Sequence, residues 1–243
     1  MVGSLSLEVA PHRSPKPMGS KCGGDNKRVE RIWIRASPSL YGLVFDLMHF
    51  RNLLLLFIHR YHDAYGVWVT SLSILYSLFA KPNVRSTRNS AKMARISEIL
   101  RNVGGDPELS TFLECLREQK NRIDNNYLAQ QVIRQVCRDF SNYFKALREY
   151  AKNPSKFTGT PKPPRPKKLR NIGRFTIEFN KNTYIQSSRE IILRLRVKQR
   201  IQYSFKVRDG VKATSVRLCY YLGQYYIDVV YENNENTANP LKP

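Results

Sequence analysis

Leu128-Ala-Gln-Gln-Val-Ile-Arg-Gln-Val-Cys-Arg-Asp-Phe-Ser-Asn-Tyr-Phe-Lys-Ala-Leu147 is followed by Asn153-Pro-Ser-Lys-Phe-Thr-Gly-Thr-Pro-Lys-Pro-Pro-Arg165, and then by Phe175-Thr-Ile-Glu-Phe179. Across these three pieces the apolar period changes from that of a helix to that of a strand, and this change sets the fold class. On a 100° wheel over residues 127–151, Ala129, Val132, Val136, Phe140, Tyr143, Leu147 and Ala151 form one broad face that needs a partner. Arg134, Arg138, Lys145, Arg148 and Lys152 fall within about 40° of a single line on the opposite side, with Glu149 the nearest acid. The cationic line continues beyond the helix. Residues 153–170 hold Lys156, Lys162, Arg165, Lys167, Lys168 and Arg170, four prolines after Pro154 and no acid, the composition of a stiff, extended basic connector.

Downstream, residues 175–179, 191–197, 204–207, 215–218 and 225–231 read as short strands, with turns at Asp209-Gly210 and Leu222-Gly223. Upstream, Val29, Arg31, Trp33 and Arg35 alternate with Glu30, Ile32 and Ile34, an edge-type strand within residues 28–36. Ser37-Pro38-Ser39 has helix-start chemistry. Helices are then expected over residues 40–65, 71–79, 91–103 and 109–119, separated by Lys81-Pro82-Asn83 and Gly104-Gly105, with Asp106-Pro107-Glu108 opening the last of them. The expectation is an α+β chain: a small antiparallel sheet or barrel interrupted by a helical bundle over residues 37–152, with residues 28–36 joining the later strands (171–232) across the insertion. Residues 1–27 and 233–243 read as a disordered leader and a loose tail.

The 243 residues carry 41 Lys+Arg against 19 Asp+Glu, a net charge of +22 that calls for a polyanionic partner, most simply nucleic acid. With 42% hydrophobic residues, 14 Tyr and 11 Phe there is material for a core. Cys22, Cys115, Cys137 and Cys219 stand far apart, which spells neither a disulfide framework nor a zinc ribbon. Residues 1–27 contain no signal-peptide run. The longest uncharged stretch, residues 64–80, is about seventeen residues, short of the roughly twenty that span a bilayer. A cytoplasmic protein with no membrane partner and no small-molecule substrate is expected.

Catalytic chemistry is not written in the chain. Two-metal nucleases gather carboxylates at one rigid site, whereas Asp46, Asp63, Asp106, Asp124, Asp139, Asp209 and Asp228 are scattered without a matched pair. His59-Arg60-Tyr61-His62 lacks the His-apolar-His spacing of single-strand transposases. His59, His62 and Asp63 share a helix face but lack the further ligands of a closed metal site, so packing residues are expected there. No cofactor, metal or catalytic residue is assigned, and the composition favours a binding protein.

The 128–147 and 153–165 motifs, in this order and with the Phe175 strand after them, resemble the TnpB/OrfB family, transposon-encoded RNA-guided nucleases related to type V CRISPR effectors. Leu40-Tyr41 through Phe50-Arg51-Asn52 resembles that family's first recognition-lobe helix, and Tyr225-Tyr-Ile-Asp-Val-Val-Tyr-Glu232 its last strand before the nuclease domain. The similarity spans roughly residues 28–232. It implies an oligonucleotide-binding-like wedge barrel interrupted by a helical recognition domain, which grips a guide RNA and target DNA by backbone and shape. In the family a RuvC-like nuclease follows within a few residues of that strand. This chain reaches Leu241-Lys242-Pro243 at that place, so no catalytic residue carries over, and a separately encoded RuvC-like half becomes a candidate partner. The residues expected to meet phosphates are Arg134, Arg138, Lys145, Arg148, Lys152, Lys156, Lys162, Arg165, Lys167, Lys168 and Arg170, with Phe157 stacking on a base or packing. The alternative is an unrelated basic RNA-binding or ribosome-associated protein.

Overall fold

A computed structural model describes residues 27–79, 90–167, 174–207, 212–221 and 223–232. Residues 1–26 of the expected leader (1–27), the tail (233–243), Lys81-Pro82-Asn83 and the Asp209-Gly210 turn lie outside the described residues, while Lys27 opens the first strand. In chain order the elements are β1 (Lys27–Ile34), α1 (Pro38–Tyr65), α2 (Leu72–Phe79), α3 (Ser90–Gly105), α4 (Pro107–Ile123), α5 (Asn126–Lys152), a 3-10 turn (Pro154–Lys156), β2 (Arg174–Phe179), β3 (Tyr184–Gln186), β4 (Glu190–Arg196), β5 (Ile201–Lys206), β6 (Ala213–Tyr221) and β7 (Gln224–Glu232). The architecture is α+β, with five helices among the described residues. Two compact units result. Residues 27–37, 174–193 and 204–232 form a β unit, and residues 38–167 with 194–203 form a helical unit.

In the β unit, β1 pairs antiparallel with β7 from Lys27 opposite Glu232 to Ile34 opposite Tyr225, so the first strand does join the last across the helical insertion. The sheet order is β1-β7-β6-β2, which leaves β1 at the edge. Val29 and Trp33 on its outer face are 57% and 37% exposed, as a basic, alternating edge strand should be. The strands do not close into the expected barrel. β3, β4 and β5 form a second, separate antiparallel sheet, and β3 was missed because three residues, Tyr184-Ile-Gln186, are too few to show a period of two. Tyr184 ties the two sheets together, its hydroxyl donating 3.0 Å to the Ala213 carbonyl, while the Ala213 N–H donates 2.9 Å to Gln186 Oε1.

β7 is buried at every position from Tyr225 to Tyr231, so both of its faces are covered, and among the described residues Asp228 is the one buried charged side chain. Its carboxylate accepts two bonds from the Arg31 guanidinium, at 2.8 and 3.2 Å. Arg31 also lies 4.2 Å from the centre of the Tyr226 ring. The hydrogen bond to Asp228 raises the Arg31 pKa further above its ordinary value. Cys219 and Thr176 complete the row across the sheet.

The helical unit is nucleated by ordinary cap chemistry. Asp106 caps α4 by accepting from the Glu108 and Leu109 N–H groups, with Pro107 in the first turn. Asn125 caps α5 by accepting from the Leu128 N–H, and its amide donates 2.8 Å to the Arg194 carbonyl. α1 supplies the core, with Leu40, Leu43, Leu47, Phe50, Leu54, Leu55, Phe57 and Ile58 all fully buried. Among the described residues it is the helix long and apolar enough to cross a membrane, and half of its most apolar window is buried inside the protein. The uncharged stretch from residue 64 is by contrast not one helix: it is broken at Gly66, where φ is +67°, before α2 begins.

Replacing Arg31 by Ala leaves the buried Asp228 carboxylate without its cation. Because Arg31 is half exposed, the expected loss is about 2 kcal/mol of unfolding free energy, below the full penalty for a wholly buried pair. Urea unfolding of the wild type and Arg31→Ala measures it.

Candidate nucleic-acid interface

α5 is two-sided, as its sequence requires, but its apolar face is covered unevenly. Ala129, Val132, Val136 and Phe140 are buried, Tyr143 and Leu147 are half-buried, and Ala151 is exposed. The last turns of the helix thus run past the tightly packed part of the bundle. One ion pair pins the middle of α5 to α1: Arg51 Nη2 lies 2.9 Å from Asp139 Oδ2. It removes Asp139 from the electrostatics of the opposite face.

On that face Arg134, Arg138, Lys145, Arg148 and Lys152 are all exposed. Over the helix rise they span about 27 Å. Arg134 donates 3.1 Å to the Tyr76 hydroxyl, and Arg148 donates 3.3 Å to the Phe144 carbonyl one turn back. Among the described residues none of the five is ion-paired. Uncompensated cations at i,i+4 spacing destabilise an isolated helix, so the line is held by the packing of the other face, and it presents fixed positive charge to solvent.

The connector carries this charge back along α1. After Lys152 the chain turns through the 3-10 turn, and Phe157, which follows it, is half-buried and meets Tyr150 edge-on at 5.7 Å. Thr160 donates 3.3 Å to the Tyr150 hydroxyl. The chain then lies against α1. His59 Nε2 is 2.6 Å from the Pro164 carbonyl, and Asn52 clamps Lys167 from both sides, donating 2.7 Å to its carbonyl and accepting 3.1 Å from its N–H. Three extended residues and the seven helical residues from Asn52 to His59 each cover about 10 Å, so the connector is strung antiparallel to the helix without slack. Lys156, Lys162, Arg165 and Lys167 project into solvent from this anchored backbone. Lys168 and Arg170 lie outside the described residues.

The two clamps, Asn52 and His59, are the residues that sequence reasoning missed. Their only signal was a polar side chain on an apolar helix. His59 bonds the connector and packs on Trp68 at 5.2 Å, while His62 stacks on Trp68 at 3.8 Å. Among the described residues no three metal-ligating side chains come together. Cys137, on the flank of α5, has its thiol pushed up to about 11 by burial.

No protein-family model and no curated protein matches this chain.

Two outcomes are expected. Asn52→Ala frees the connector from α1, so limited trypsinolysis cuts after Lys167 faster than in the wild type while the helical content by circular dichroism is unchanged. In iodoacetamide labelling at pH 8 followed by mass spectrometry, the exposed Cys115 is modified first among the cysteines of the described residues. Cys137, half-buried and with its thiol pushed up to about 11 by burial, reacts more slowly than Cys115.

Proposed function

We propose that this chain is a nucleic-acid-binding module of the TnpB/OrfB type, which holds a guide-type RNA and target DNA. The observation that supports it best is the exposed, unpaired cationic line of α5 continuing into a connector whose backbone is anchored to α1. Fixed cations in a row fit a phosphate backbone, and they bind it with little dependence on sequence. In this reading the helical unit takes the place of the recognition domain. The β unit takes that of the wedge, with the oligonucleotide-binding-like strands arranged as two antiparallel sheets. Sequence specificity would come from base pairing between guide and target.

RNA co-purified with tagged protein from its own host and then sequenced tests the class of partner. A dominant RNA from the 3′ flank of the gene supports guided binding, and ribosomal RNA favours a general or ribosome-associated binder. The interface itself is tested by Arg134→Ala/Arg138→Ala. This variant should reduce the slope of log affinity against log salt by about 2, one for each lost phosphate contact, and weaken binding alike across RNA sequences. An unchanged slope removes α5 from the interface.

A further inference from the structure

The face of α1 that does not enter the core carries a second feature suited to nucleic acid. Tyr41, Phe45 and His49 follow one another at i,i+4 spacing, with ring centres 6.3 Å apart at both steps and interplanar angles of 31° and 18°. All three are exposed, Tyr41 by 60% and Phe45 by 39%. The solvent face of an amphipathic helix is normally polar; here it presents a ladder of three nearly parallel rings. The core does not need them, because Leu40, Leu43, Leu47 and Phe50 on the other face are fully buried.

About 60° around the helix from this ladder runs the row Pro38, Gly42 and Asp46, which forms one wall of an open cleft of about 750 Å3 within the helical unit. Its other walls come from the end of α4 and from residues 196–199, and supply Arg122, Arg196 and Lys198. Of the two acids in the cleft, Asp46 is ion-paired, whereas, among the described residues, Asp124 is held by backbone N–H groups alone. Asp46 is held by Arg196 at 2.5 Å and by the Gln119 amide, and Asp124 accepts from the Lys198 and Gln199 backbone N–H groups. Arg196 also donates to the Arg122 carbonyl. Arg122 and Lys198 remain exposed, and among the described residues their side chains form no ion pair.

We propose that this face binds single-stranded nucleic acid, with bases stacking on Tyr41, Phe45 and His49 and phosphates lying toward Arg122 and Lys198. The ring spacing is about twice the ~3.4 Å rise per nucleotide of a stacked strand, so successive rings meet alternate bases, or one unstacked base each. Rings beside unpaired cations are the two elements of a single-strand track, whereas a duplex keeps its base faces covered and offers nothing to the ladder. The proposal extends the nucleic-acid reading to a surface that shares no residue with the α5 line.

The test is fluorescence anisotropy on the full chain with labelled oligo(U) and oligo(dT) of about 12 nucleotides, a length within the usual single-strand site size, and with a duplex of equal length. Tyr41→Ala/Phe45→Ala should weaken both single strands by about tenfold, with the duplex and the salt slope unchanged. The ring-preserving exchange Tyr41→Phe/Phe45→Tyr should keep wild-type affinity. Single-strand affinity within twofold of wild type in the Ala variant, an equal loss on duplex, or a loss in the ring-preserving variant would each overturn the stacking track. Arg134→Ala/Arg138→Ala run in parallel separates the two surfaces. If it weakens binding while the ring variant does not, the α5 line stands and the ladder falls; if neither variant weakens binding, both readings fail.

Discussion

The pairing of β1 with β7 is the constraint on which the β unit depends. It brings Arg31 to Asp228 across 197 positions of sequence, and it turns β7 from an edge into an interior strand of the sheet. The chain between them makes its own compact helical unit, so the closure cost of the long intervening segment is not that of a flexible loop of the same length, and even that cost grows only slowly. The order of assembly follows. Helices α1 to α5 lie in one continuous stretch of chain and can pack on each other once α5 is available, whereas the four-stranded sheet cannot be completed until its last strand is available. The bidentate pair rewards the correct register, since a one-residue slip of β1 would turn Arg31 to the opposite face and leave Asp228 buried alone.

Within the helical unit one helix does two jobs because its two sides are so unlike. The apolar side of α5 from Leu128 to Phe140 is held by α1 and reinforced by Arg51 and Asp139, and this packing offsets the mutual repulsion of the cations on the far side. The connector adds a second cationic segment at small entropic cost, since prolines restrict it before folding and Asn52 and His59 hold it afterwards. Charge held on a rigid support binds a polyanion better than the same charge on a loose chain, which must be ordered during binding.

In the proposed reading, the two faces described in the helical unit divide the ordinary elements of nucleic-acid recognition. Cations in line grip the backbone without reading sequence, and rings in line accept base faces only where bases are unpaired. A chain with +22 net charge will attract any nucleic acid at low salt, so discrimination between duplex and single strand has to come from features other than charge, and exposed aromatic rings are such a feature.

Much of this was legible in the residues. Period and punctuation are local properties, so the helices around Asp106-Pro107 and Asn125, the two faces of α5, the edge character of β1 and the hairpin turning at Gly223 could be read from neighbours in sequence. The α+β class follows from their order. What tertiary structure alone decided involves partners far apart. The strands split into two sheets because β3, three residues long, pairs only with β4 and extends no ladder toward β2 or β6. The connector is an anchored strip because Asn52 and His59, on a helix about a hundred residues earlier, match its backbone in spacing. Phe157 packs on Tyr150, and Tyr41, Phe45 and His49 stand outside the core, because burial depends on which face of a helix finds a neighbour. A sequence states which side chains alternate and which charges lie in line; which of them meet is settled by distances that only the folded chain creates.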